Sequence, residues 1–104
     1  MIRAVYTQAG DRHKLTITGH AGYGEHGSDI VCAGVSAISY ALLGFLQNTK
    51  TLELKAETES GNMALVCTGG ADVASAFEMA VIGYLQISRK YPQCVDVYIA
   101  STGG

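Results

Sequence analysis

Apolar and polar residues alternate along five short segments of the chain, the pattern expected of β-strands with one buried face. The segments are residues 2–8, 14–18, 51–58, 63–68 and 94–100. Gly10-Asp11 follows the first segment and Ser60-Gly61-Asn62 follows the third, and both have the composition of tight turns. The alternation therefore predicts two hairpins and one further strand near the end of the sequence.

Apolar residues spaced three and four apart predict two amphipathic helices. Ser28 or Asp29 can cap the first helix, which we expect to end near Gln47-Asn48. The second helix opens near Asp72 and stops before Pro92. The apolar stripes are Val31, Val35, Ile38, Leu42 and Phe45 in the first helix and Val73, Phe77, Ala80, Tyr84, Ile87 and Tyr91 in the second.

The predicted order of elements is ββαββαβ, which indicates an α+β fold. Its natural architecture is a mostly antiparallel sheet with two helices packed on one face. The other face would meet solvent or a second subunit. With 104 residues, we expect residues 1–104 to form a single domain with a frayed tail from residue 101.

The composition excludes several classes of partner. Hydrophobic residues make up 48 % of the chain, which argues against disorder. The net charge is −2 and there is no run of Lys or Arg, which argues against direct binding to nucleic acid or an anionic membrane. The most apolar stretch, residues 30–46, is short for a membrane span. The start of the sequence lacks the apolar region of a signal peptide, and three cysteines cannot all pair with one another. We therefore expect a cytoplasmic protein with reduced thiols and no membrane attachment.

Glycine is concentrated in one segment. Of 13 glycines, Gly19, Gly22, Gly24 and Gly27 fall within nine positions of the predicted loop 19–29. These glycines would let the loop lie close to a bound peptide backbone, or move aside to admit one. The letters of residues 22–27 also fit a GxGxxG phosphate motif, but the segment follows a hairpin strand rather than opening a βαβ unit.

Cys32 is the candidate nucleophile. It lies in the first turn of the first predicted helix, where the positive end of the dipole favours a thiolate. A cysteine nucleophile needs a partner within hydrogen-bond reach, and His20 at the end of a strand is better fixed than His26 in the loop. Asp29 could cap the helix, orient His20, or do both. Ser36 follows one turn after Cys32 and could line the same cleft.

Other interpretations of these residues remain open. Cys32 could be a small core residue, and His20, His26, Cys32 and Asp29 together offer a zinc ligand set whose spacing matches no common zinc module. A zinc-dependent hydrolase and a dimeric module that binds without cutting are therefore alternative functions. We interpret Cys67 and Cys94 as structural and His13 as a solvated turn residue.

The segments Gly19-His20-Ala21 and Gly27 to Ala33 (G-S-D-I-V-C-A), followed by Ser36, resemble the motif of the ribosomal-processing cysteine proteases, the Prp family. The similarity extends over essentially the whole chain, including its length and element order. The resemblance implies a cytoplasmic, homodimeric endopeptidase that requires no metal or cofactor.

The resemblance also implies a substrate and a set of site residues. Family members remove a short N-terminal extension from large-subunit ribosomal protein number twenty-seven, cutting after an aromatic residue that small and basic residues follow. The family's nucleophile falls on Cys32 and its histidine on His20. Its aspartate and its helix serine fall on Asp29 and Ser36 as supporting positions, and its glycine-rich loop is a mobile cover for the substrate.

Overall fold

The computed structural model describes residues 1–25 and 29–102 of the chain. Within them, five strands and two helices follow one another in the predicted ββαββαβ order. The elements are β1 (Ile2–Ala9), β2 (Arg12–Thr18), α1 (Ile30–Asn48), β3 (Leu52–Glu59), β4 (Asn62–Thr68), α2 (Ala71–Lys90) and β5 (Val95–Thr102).

The strands form one sheet in the order β3-β4-β2-β1-β5, so that β2 is central. Neighbouring strands are antiparallel except β1 and β5, which are parallel. The parallel pair follows from the chain path, because α2 carries the chain across the sheet before β5 begins. The predicted α+β architecture with a mostly antiparallel sheet is confirmed.

Both helices pack on one face of the sheet and cover the core. The face is built from alternate residues of the central strands, among them Tyr6, Leu15 and Leu65, and Phe77 and Tyr84 of α2 are fully buried against it. The Tyr84 hydroxyl lies 2.7 Å from the Ser39 hydroxyl of α1, which donates to the Val35 carbonyl. Burial raises the pKa of Tyr84 to about 12, against the opposing effect of this hydrogen bond.

The edges of the sheet and of the helical layer differ from the sequence prediction. Phe45 belongs to the predicted apolar stripe of the first helix, and Leu52 and Ile99 are apolar positions of the third and fifth alternating segments. Their side chains are nevertheless 42 %, 63 % and 50 % exposed. Leu52 lies on the edge strand β3 beside a bulge that ends before Lys55, so the alternation there does not reach the core. β5 also runs to Thr102, two residues into the segment that was predicted to fray.

His13 is the clearest error of the sequence interpretation. It is fully buried, because β2 begins one residue before it and the alternation places it on the same face as Leu15 and Ile17. Its Nδ1 lies 2.6 Å from the Tyr6 hydroxyl, and its ring stacks on Phe77 with 5.0 Å between centroids. Desolvation lowers the pKa of His13, against a smaller opposing effect of Asp11.

α1 is long and apolar enough, by length and composition alone, to cross a membrane, with a mean hydropathy of 1.8. In the fold it serves as a core helix. Its buried residues are Val31, Val35, Ser39, Leu42, Leu43 and Leu46, which pack against the sheet and α2.

Candidate active site

His20 follows the end of the central strand. The residue before it, Gly19, is in contact on both sides, which fixes the backbone position of His20. The Gly19 N–H donates to the Gly61 carbonyl over 2.9 Å, which extends the pairing of β2 with β4 by one bond. On its other side Gly19 lies so close to the Met1 carbonyl that a Cβ would overlap it, and its φ is +90°. Gly19 is therefore a fixed anchor beneath His20 rather than a hinge.

Asp29 connects the start of α1 to the glycine-rich segment. Its Oδ1 accepts from the N–H groups of Val31 and Cys32 at 2.9 and 3.0 Å, which caps the helix as predicted. Its Oδ2 accepts from the N–H groups of Tyr23 and Gly24 at 2.9 and 3.1 Å. The hydrogen bond from Cys32 contributes most to a lowered pKa of the Asp29 carboxyl, desolvation opposes it, and the other three bonds add to the lowering.

Cys32 is half-buried in the first turn of α1, and its Sγ accepts a hydrogen bond from the Ala21 N–H over 3.3 Å. A donor from the segment after His20 thus faces the sulfur. Free N–H groups in the first turn of a helix could hold the oxyanion of a reaction intermediate. Instead, those of Val31 and Cys32 donate to Asp29, and that of Ala33 donates to the Asp29 carbonyl.

The structure brings His20, Asp29, Cys32 and Ser36 together in one cleft of about 640 Å³. Its opposite wall is the turn between β3 and β4, residues 58–63, which the sequence interpretation did not connect with the site. No local sequence pattern could have connected this turn with the site, because the turn reaches the site only through the pairing of β4 with β2. The described lining residues include the acidic Asp29 and Glu59 and no lysine or arginine.

The glycine-rich segment is described as far as Glu25. Gly22 has a φ of +70°, which favours glycine, and the next residue, Tyr23, packs edge-on against Tyr91 with 5.1 Å between ring centroids. The Gly24 N–H is bound by Asp29. Gly27 and the candidate His26 lie outside the described residues, as does Ser28.

Within residues 1–25 and 29–102, no group of three His, Cys, Asp or Glu side chains is arranged to hold a metal ion. The zinc alternative includes His26, which is outside this range. Cys67 is fully buried on β4, and Cys94 is half-buried before β5. Both positions agree with the structural interpretation of these two thiols.

Comparison with known proteins decides the family. The sequence model of the family described as cysteine protease Prp matches residues 1–96. The chain belongs to the Prp family of cysteine proteases. A ribosomal processing cysteine protease Prp from Mycoplasma pneumoniae is 33 % identical over 85 residues, which cover 81 % of this chain and 84 % of that protein. The family membership makes this chain a cysteine protease.

Solved Prp structures share the fold. The ribosomal processing protease Prp of S. aureus in complex with a covalently linked product peptide superposes with a TM-score of 0.85 at 19 % identity. The match covers 95 % of this chain and 99 % of that one. The same protease in complex with a substrate peptide gives a TM-score of 0.79 at 19 % identity, with the same coverage.

Proposed function

We propose that this chain removes the N-terminal extension of large-subunit ribosomal protein number twenty-seven, with Cys32 as nucleophile and His20 as its partner. The observation that carries the proposal is the convergence of two elements on one cleft. His20 comes from the end of the central strand and Cys32 from the first turn of α1, and both line the same cavity. A nucleophile and a base on rigid elements around a peptide-sized cleft are what thiol proteolysis needs.

The proposed reaction proceeds through an acyl-enzyme. His20 takes the proton of the Cys32 thiol, and the thiolate attacks the scissile carbonyl carbon to form a C–S bond. When the C–N bond breaks, His20 gives this proton to the departing amine. Water then attacks the thioester, transfers a proton to His20, and releases the N-terminal extension as a carboxylic acid. The Cys32 thiol recovers its proton in this last step.

Ala21 supplies a hydrogen-bond donor to the reacting sulfur. Its N–H lies 3.3 Å from Cys32 Sγ, so it stabilises the thiolate before attack. The oxygen of the tetrahedral intermediate is two bonds away from that sulfur, within reach of the same N–H. We therefore assign the Ala21 N–H to the developing oxyanion, in place of the helix-start donors that Asp29 occupies.

Asp29 and Ser36 support the site in different ways. Because Asp29 binds N–H groups on both sides, it fixes the distance between the segment carrying Ala21 and the helix carrying Cys32. Ser36 is exposed in the cleft one turn after Cys32, where its hydroxyl can contact the substrate backbone.

The charge of the cleft supports a basic substrate. Glu59 lies at the turn opposite Cys32, and the described lining residues contain no lysine or arginine that would neutralise it. A positively charged segment of a ribosomal protein would meet an acidic wall there. The same surface disfavours an acidic substrate peptide.

We further propose that the active form is a cytoplasmic homodimer. Large apolar side chains are exposed on both helices: Phe45 on α1, Met79, Ile82 and Leu85 on α2, and Tyr40 of α1, which also lines the cleft. Exposed apolar side chains that form a contiguous patch mark a protein interface. Sedimentation would give a dimer for the wild type and a monomer for Ile82→Glu. A wild-type monomer at micromolar concentration would contradict the proposal.

A processing assay tests the proposed function. Purified protein is incubated with ribosomal protein twenty-seven carrying its extension, and the product N-terminus is sequenced. We expect a single cut that Cys32→Ala abolishes, while Cys94→Ala, a substitution of an equally half-buried thiol away from the cleft, leaves the rate unchanged. Binding of the substrate without a cut in the wild type would favour the non-catalytic module.

A further inference from the structure

Gly61, in the turn between β3 and β4, lies directly against the ring of His20. A Cβ built on Gly61 would stand 2.7 Å from Nε2, 3.1 Å from Cε1 and 3.4 Å from Cδ2 of the imidazole. The first separation is closer than a carbon and a nitrogen can pack, and the second is also a tight contact. The imidazole thus occupies the space that any side chain at position 61 would need.

Gly61 also holds the backbone of the same neighbour. Its carbonyl accepts the hydrogen bond from the Gly19 N–H, so it fixes the residue that precedes His20. The turn therefore affects His20 in two ways. The Gly61 carbonyl binds the backbone of the residue before His20, and the Cα of Gly61, which carries no side chain, leaves room for the imidazole.

We propose that Gly61 is a positioning residue for His20, and that its missing side chain sets where the imidazole lies relative to Cys32. This inference rests on the proposed pairing of His20 with Cys32. His20 is exposed, and the overlapping atoms are at the far end of its side chain. The overlap with an added methyl group would therefore be relieved by displacement of the ring. This displacement would cost the fold little stability, but it would move the imidazole away from its catalytic position.

Gly10 provides a matched control within the same chain. It lies in the turn between β1 and β2 with a φ of +61°, and Gly61 has a φ of +73°. Both glycines therefore impose a similar backbone penalty when replaced by alanine. A Cβ on Gly10 meets no described atom within 4 Å, so Gly10→Ala isolates the backbone effect from the contact with His20.

The first measurement is steady-state cleavage of an extended ribosomal peptide by Gly61→Ala and Gly10→Ala, with thermal unfolding of both. We expect similar losses of Tm. We expect kcat to fall roughly tenfold to a hundredfold in Gly61→Ala only, because displacement of a catalytic group by about 1 Å has effects of that size. If Gly61→Ala unfolds, Gly61→Asn and Gly10→Asn repeat the comparison, since asparagine tolerates positive φ better and still carries a Cβ.

The second measurement distinguishes a displaced imidazole from a blocked cleft. Iodoacetamide is small, so the pH profile of its reaction with Cys32 reports the pairing with His20 rather than the fit of a peptide. We expect the Gly61→Ala profile to shift towards that of His20→Ala, and the Gly10→Ala profile to match the wild type. A higher KM with an unchanged kcat and an unchanged alkylation profile would overturn the proposal.

The two proposals fail in distinguishable ways. If His20→Ala cleaves as fast as the wild type, the pairing of His20 with Cys32 is wrong and the role of Gly61 falls with it. If His20→Ala is inactive while Gly61→Ala behaves like Gly10→Ala, the proposed function stands and only the role of Gly61 is refuted.

Discussion

One carboxylate oxygen of Asp29 caps the helix that carries Cys32, and the other binds the segment that carries Ala21. The two parts of the site are thus held together by a single side chain. The relationship between Asp29 and Cys32 is direct, because the Cys32 N–H donates to Oδ1 over 3.0 Å.

Asp29→Asn should reduce activity more than it reduces stability. Asparagine is as good a helix cap as aspartate, but it offers one acceptor oxygen instead of two. With that oxygen at the helix, its NH₂ group would face the N–H groups of Tyr23 and Gly24, which lose their acceptor. We expect a small loss of Tm and a fall in kcat of roughly tenfold or more. Asp29→Ala also loses the helix cap, so its Tm should fall considerably more than that of Asp29→Asn, while the kcat values of the two variants should be similar.

The same carboxylate should stabilise the fold near neutral pH and lose this effect in strong acid. Its pKa in the folded protein is below the ordinary value of 3.8. Its contribution is therefore complete above pH 3.8 and is lost as the pH falls through the lower folded value. Denaturant unfolding should show this loss in the wild type but not in Asp29→Asn. If the free energy of unfolding fell equally with pH in the two proteins below pH 4, the lowered pKa would not belong to Asp29.

His13 should make the protein less stable in mild acid. The ordinary pKa of 6.5 is lowered in the fold, so the unfolded chain takes up the proton first. The contribution is complete above about pH 6.5 and is lost as the pH falls below that value. A protonated ring would carry an N–H on Nε2, for which the described residues provide no acceptor.

The double variant Tyr6→Phe with His13→Phe tests this prediction. It keeps the three-ring stack on Phe77 and removes both the titrating group and the hydroxyl that depends on it. Its free energy of unfolding should change less between pH 7.5 and pH 5 than that of the wild type. The other two histidines are present in both proteins, so their effect cancels. Equal slopes would show that His13 does not titrate on unfolding.

Residue patterns close in sequence predicted the elements well, and contacts between distant residues could not be predicted in the same way. The strand and helix periods gave the ββαββαβ order, and the first-turn position of Cys32 identified a candidate site. The placement of Gly61 against His20 depends on which strands pair, which no local pattern encodes. The burial of His13 depends on where β2 begins. The charged residues around His13 led the sequence interpretation to place it in the turn rather than in the strand.

The hydroxyl pair of Ser39 and Tyr84 should stabilise the contact between the helices. Tyr84→Phe leaves Ser39 bonded to the Val35 carbonyl, so we expect a loss of about 1 kcal/mol. Ser39→Ala leaves the buried Tyr84 hydroxyl without that partner and should cost more, up to about 3 kcal/mol. Urea unfolding of both single variants and the double variant checks the order. The double variant should cost less than the sum of the two single variants.

Glu59 should contribute to the binding of basic substrates. Glu59→Gln should raise the KM for an extended ribosomal peptide by about twofold to fivefold, the range of an exposed charge pair. Added salt should narrow the difference between the two proteins. Glu57→Gln is the control, because Glu57 is exposed on the same strand and is not among the lining residues of the cleft. Equal effects of the two variants would assign the change to net charge alone.

The central claim is that Cys32 forms a covalent bond to the N-terminal extension during cleavage. Rapid acid quenching of the wild type with an extended ribosomal peptide, followed by intact mass spectrometry and peptide mapping, tests this claim most directly. The account predicts a transient adduct with the mass of the extension less one water, located on the peptide that contains Cys32 and absent from Cys32→Ala. Cleavage at the full rate without an adduct, or an adduct on Cys67 or Cys94, would contradict it.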